Sequence, residues 1–138
     1  MPLQTDAEIK TLLENARHIA VVGYSTDPTR PSHAVAQQLR RFGYQMSPVN
    51  PTVKGIPDET IYQTLADVPG PIDIVDIFRR AEAVPEVVEE AIRVGAKAIW
   101  MQLGIVNEDA ARRAEAAGLQ VVMDRCIKVD YWRLMGDR

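Results

Sequence analysis

Short apolar runs alternate along this chain with amphipathic stretches, and glycine marks many of the joins. Residues 19–22 are apolar and β-branched at three of four positions, as in a strand buried on both faces. Gly23 follows at once, where a tight turn needs a residue without a Cβ. Ala34, Val35, Leu39 and Phe42 then recur at helical spacing across residues 32–43, and Gly43 supplies the stop. The same alternation predicts strands over 44–49, 73–78, 98–101 and 119–123. Helices are expected over 5–16, 85–94 and 107–117, a short one over 60–65, and a closing one over 129–135 with Tyr131, Trp132 and Leu134. Thr5 with Glu8 fits a capping box, Pro85 suits a first helical turn, and Asn107 suits an N-cap.

Repeated β-α units with short connections predict an α/β fold: a mainly five-stranded parallel sheet, doubly wound, with helices on both faces. The turns near residues 23, 50, 79, 102 and 124 then share the C-terminal edge of the sheet. Folds of this kind bind ligands there.

A glycine turn from a buried strand into a helix leaves N–H groups converging where the helix dipole is positive, which suits phosphate. Any α/β fold also needs such a turn, and residues 24–28 contain no second glycine, so the G-x-G-x-x-G pattern is absent. Ser25, Ser32 and Arg30 are either ligand donors or, respectively, a loop hydroxyl, a helix N-cap and a solvated charge. A dinucleotide enzyme places an acidic residue at the end of the second strand to hold the ribose; here Asn50 stands there, followed by Pro51. Lys54 reads either as a partner for a ribose phosphate or as an exposed loop lysine.

Composition narrows the classes. The length of 138 residues suits one domain with a proper core, and a net charge of −3 argues against a general nucleic-acid footprint. No apolar stretch reaches the length of a membrane span, and no signal-peptide pattern opens the chain, so the expected location is cytoplasmic. One cysteine and two separated histidines make no structural zinc set, and no metal is expected. No nucleophile elbow and no Walker sequence is present. His18, opening a buried strand, reads as structural, while His33 in a first helical turn faces either phosphate or solvent. Asp73 and Asp76 bracket a strand without forming a paired acid–base site. Cys126 is a small apolar filler or, at the ligand edge, a redox group.

Several segments together resemble the stand-alone CoA-binding protein family, which is similar to the N-terminal CoA-binding domain of the succinyl-CoA synthetase α subunit. They are Ile19-Ala20-Val21-Val22-Gly23-Tyr24-Ser25, Arg30-Pro31-Ser32-His33, Pro48-Val49-Asn50-Pro51, Asp73-Ile74-Val75-Asp76-Ile77-Phe78-Arg79, Ala98-Ile99-Trp100-Met101-Gln102-Leu103-Gly104 and Asp124-Arg125-Cys126. The resemblance implies a single Rossmann-like domain over residues 1–138 that binds coenzyme A or an acyl-CoA. It implies that the Gly23-Tyr24-Ser25 turn lets the backbone approach the diphosphate, with Arg30 and Ser32 adding contacts. Asn50 and Pro51 then border the adenosine, and Lys54 serves the ribose phosphate. Phe78 and Arg79 line the next stretch, Gln102, Leu103 and Gly104 lie toward the pantetheine arm, and Cys126 lies near the thiol.

On this reading Gly23→Val removes binding and spares the fold. The synthetase needs a phosphohistidine domain and a partner subunit, so the expected role is binding without catalysis. The alternatives are a CoA-linked redox store through Cys126 and a dinucleotide-dependent oxidoreductase. A homodimer through Tyr131 and Trp132 is a further expectation.

Overall fold

The computed structural model describes residues 2–53, 55 and 57–136. Its centre is a five-stranded sheet in the order β2-β1-β3-β4-β5, formed by β1 (His18–Val22), β2 (Gln45–Val49), β3 (Ile74–Ile77), β4 (Ala98–Met101) and β5 (Gln120–Val122). All four pairings are parallel. The architecture is a Rossmann-like α/β sheet, as the alternating pattern predicts.

Period-two alternation sorts the strand side chains into two cores. Ala20, Val22, Val75, Ile77, Ile99 and Met101 face α3 (Val84–Arg93) and α4 (Glu108–Ala116). Ile19, Val21, Ile74 and Trp100 face α1 (Asp6–Asn15), α2 (Pro31–Arg41) and α5 (Ile127–Met135). β1 lies between β2 and β3, so the chain leaves the first strand for one neighbour and then crosses to the other. That reversal opens a crevice at the C-terminal end of β1.

The capping box at Thr5 and Glu8 is formed, and Asn107 caps α4 by accepting from the Ala110 N–H. His18 is structural: Nδ1 donates to the Pro71 carbonyl at 2.8 Å and Nε2 meets Ser47 Oγ at 2.7 Å. Asp73 accepts the N–H groups of Arg17 and His18 at the opposite edge of the sheet. α5 is tied down by Asp130, which Arg125 grips with two bonds of 2.6 and 2.9 Å and which Arg133 links toward Asp6.

Four expectations are corrected. Residues 60–65 are not a helix: Tyr62 bridges to Val49, its N–H reaches the Pro48 carbonyl and its carbonyl receives the Asn50 N–H. The outer edge of β2 has these groups to satisfy, and that need overrides a weak helical pattern. A 3-10 turn follows at Leu65–Asp67. Second, α2 begins at Pro31 with Arg30 at the N-cap, so Ser32 is not the cap; proline at the first helical position starts the helix early. Third, α5 begins at Ile127 with Cys126 at its N-cap. Fourth, Tyr131 is no surface residue: its ring stacks on Phe42 at 3.7 Å within the core, which leaves Trp132, 51% exposed, as the outward aromatic of that helix.

Candidate functional site

A cleft of about 450 Å³ occupies the crevice at the end of β1. The β1–α2 connection forms one wall with Gly23, Tyr24, Ser25, Asp27 and Arg30, continued by Pro31 and Ser32 at the start of α2. Asn50 and Val53 come from the end of β2, and Phe78 from the end of β3.

The turn is built from cross-strand bonds. The N–H groups of Gly23 and Tyr24 both donate to the Val49 carbonyl, at 2.9 and 3.3 Å. These two are therefore not the free donors that a glycine turn suggests. The donors of the cleft lie further on: the N–H groups of Ser25 and Ser32 meet no acceptor among the described residues, nor does that of Thr26, which does not line the cleft. Asn50 braces the turn by donating from Nδ2 to the Tyr24 carbonyl at 2.9 Å, while its Oδ1 accepts from Thr52. Asp27 folds the outer loop in the same way, accepting from Thr29 N–H and Oγ1 at 2.9 and 2.8 Å. Those two bonds hold its carboxyl below the usual range, so it stays anionic beside the cleft.

Gly23 has a role that the chain alone does not reveal. Its φ is +90°, and a Cβ there would lie 2.3 Å from the Phe78 carbonyl oxygen. The missing side chain makes room for the end of β3 rather than for a ligand. Gly23→Val is therefore expected to damage the fold, contrary to the simpler reading.

Tyr24 lines the cleft, but its side chain is wholly buried. Its hydroxyl donates to Glu59 Oε2 at 2.7 Å and accepts from Gln37 Nε2 at 2.9 Å. Burial, with the Glu59 carboxylate second, pushes its pKa up to about 12, so it is a neutral structural phenol. Glu59 also pairs with Arg40 at 2.9 Å. Ser32 is buried at the cleft wall, and Arg30 is exposed with no ion pair among the described residues.

The remaining expected residues spread away from this cleft. Pro51 is exposed beside Asn50 and does not line it, and Lys54 lies outside the described residues. Arg79, with Phe78 and Arg80, borders an adjoining depression of about 410 Å³. Gln102 is buried, and its Oε1 accepts the Ile127 N–H at 3.1 Å, which seats α5. Leu103 is exposed, and the Gly104 N–H donates to Asp124 Oδ1 at 2.7 Å. Cys126 is half-buried against the core face that carries α5. These last residues follow β4 and β5, one and two strands beyond β3, which is why the cleft does not include them.

Asp27, Pro31 and Val53 belong to the cleft but were not singled out by the chain pattern. Asp27 had a signal: an Asp two residues before Thr marks a local side-chain-to-backbone turn. Val53 had none.

The cleft offers backbone donors, the Ser25 and Ser32 hydroxyls and one guanidinium, which is the chemistry of phosphate binding. Among the described residues no group of three or more His, Cys, Asp or Glu could hold a metal ion. No described helix is long and apolar enough to cross a membrane.

Fold and cleft together define a doubly wound α/β protein of the Rossmann-like class. Within that class the chain belongs to the CoA binding domain family, whose model matches residues 17–132. It is 44% identical over 125 residues to the protein YneT of Bacillus subtilis strain 168, covering 91% of this chain and 93% of that one. A solved structure of a hypothetical protein from Pyrococcus horikoshii OT3 superposes with a TM-score of 0.92 at 36% identity, covering 99% of this chain and 97% of that one. The α subunit of an ADP-forming acetate–CoA ligase from Pyrococcus furiosus is 30% identical over 95 residues, covering 63% of this chain but 20% of the subunit. The ligase relationship thus concerns one region of a larger enzyme.

Proposed function

We propose that this protein is a single-domain, cytoplasmic CoA-binding protein that holds coenzyme A or an acyl-CoA at the C-terminal edge of the sheet, without catalysis of its own. The observation that carries the reading is that the Ser25 and Ser32 N–H groups, which meet no acceptor among the described residues, and the exposed Arg30, which has no ion pair among them, line the crevice where the strand order reverses. The diphosphate sits on this set. The adenosine lies along Asn50, Pro51 and Val53, with Lys54 toward the ribose phosphate. The pantetheine arm passes Phe78 and Arg79 toward Gln102, Leu103 and Gly104, with its thiol toward Cys126. Membership of the CoA binding domain family supports the choice of ligand.

Calorimetric titration of ligand-free protein with CoA tests the reading. No heat up to about 1 mM ligand, where binding is worth only about 4 kcal/mol, rejects it. Thermal-shift titration with acetyl-CoA, NADH and ATP identifies the cargo. A shift with NADH alone would restore the dinucleotide reading, which Asn50 opposes because its oxygen is already engaged by Thr52.

Arg30→Ala should weaken CoA binding by the roughly 1.5–3 kcal/mol of a charged hydrogen bond, a loss of about tenfold to 150-fold. The melting temperature should hardly move, because Arg30 is exposed and caps α2 without its side chain. Unchanged affinity in this variant would place the phosphates elsewhere.

A further inference from the structure

We infer that His33 is the positioning residue of the phosphate site, acting through the Ser25–Thr26 peptide. The inference rests on the CoA-binding reading and adds to it a residue that does not line the cleft. His33 Nδ1 lies 2.9 Å from the Ser25 carbonyl oxygen. A carbonyl oxygen only accepts, so Nδ1 carries the proton. Among the described residues no other group donates to that carbonyl. The imidazole is itself fixed: it is half-buried, its Nδ1 is 3.4 Å from the Tyr24 hydroxyl, and its ring lies 5.7 Å from the buried Tyr24 ring. Tyr24 is held in turn by Glu59 and Gln37.

The consequence follows from peptide planarity. In a trans peptide the carbonyl and the next N–H point in opposite directions. Holding the Ser25 oxygen toward His33, which does not line the cleft, keeps that acceptor off the phosphate site, to which Ser25 contributes its unbonded N–H. Without His33 the peptide is free to rotate and present its carbonyl oxygen instead. A phosphate would then meet a negative dipole end beside that donor. His33 does not touch the ligand in this scheme; it keeps the Ser25 carbonyl oxygen from facing it.

The test uses His33→Leu, which removes the donor, and His33→Asn, whose amide can donate from near the Nδ1 position. Affinity for CoA is measured by calorimetry, alongside melting temperature. The expected result is a loss of tenfold or more in His33→Leu and recovery to within about threefold of wild type in His33→Asn, with all three proteins folded. Ring ¹⁵N shifts of ligand-free wild type should show the proton on Nδ1.

Wild-type affinity in His33→Leu overturns the inference and leaves CoA binding standing. So does His33→Asn binding as weakly as His33→Leu, or a proton found on Nε2 alone. If wild type itself binds no CoA, the functional reading fails and takes this role with it.

Discussion

Gly23→Ala is expected to lose more than about 4 kcal/mol of stability, a size confined to a few mechanisms. Two of them act together here. A φ of +90° is strained for any residue with a side chain, at a cost of roughly 1–2 kcal/mol. The added carbon would also lie 2.3 Å from the Phe78 carbonyl oxygen. That oxygen cannot easily retreat, because the Phe78 N–H is bonded to the Val22 carbonyl at 2.8 Å. The total approaches the whole stability of many small domains. Urea unfolding without ligand measures it, so loss of fold is not confused with loss of binding. A change under about 1 kcal/mol would mean that β1 and β3 do not pack this closely at their ends.

The second large effect concerns Asp76 and has a defined pH dependence. This carboxyl sits on β3 between Val21 and Trp100, with no exposure and no hydrogen-bond partner for either oxygen. Burial alone raises its pKa well above the ordinary value. Below about pH 3.9 the carboxyl is protonated in both folded and unfolded chains, and ionisation contributes nothing to the balance. Above that, the unfolded chain releases the proton while the folded chain keeps it. Stability then falls by about 1.4 kcal/mol per pH unit for as long as the folded carboxyl stays protonated.

Asp76→Asn keeps the size and removes the titration. The variant should match wild type near pH 4 and be the more stable of the two at pH 7. Denaturant unfolding of both proteins at the two pH values isolates the term, because every other titrating group is common to them. A constant difference between pH 4 and pH 7 would show that Asp76 is not the titrating group.

The fold was legible from the chain to the extent that local periodicity carries it. Residues 19–22, 98–101 and the helix ending near Gly95 needed only apolar spacing and a glycine stop. Residues 60–65 carry a helical spacing but form no helix, because Tyr62 answers to the outer edge of β2, not to its own neighbours. The candidate site was legible as an edge but not as a set. Gly23, Ser25, Arg30, Ser32, Asn50 and Phe78 converge on one cleft, whereas Gln102 and Gly104 are engaged by α5 and the β5–α5 loop.

What the amino-acid order determines by itself is the succession of strands and helices, the edge to which their turns belong, and the family motifs that point to CoA. It does so because burial on one or two faces imprints a period that any short window contains. The tertiary structure alone decides which donors are free. The Gly23 and Tyr24 N–H groups are satisfied by Val49, on a strand brought alongside only after a full crossover. The same long-range packing turns the Tyr24 ring into the core and strands Asp76 without a partner. Hydrogen bonds of this kind depend on where distant strands and loops meet, and no local pattern records that.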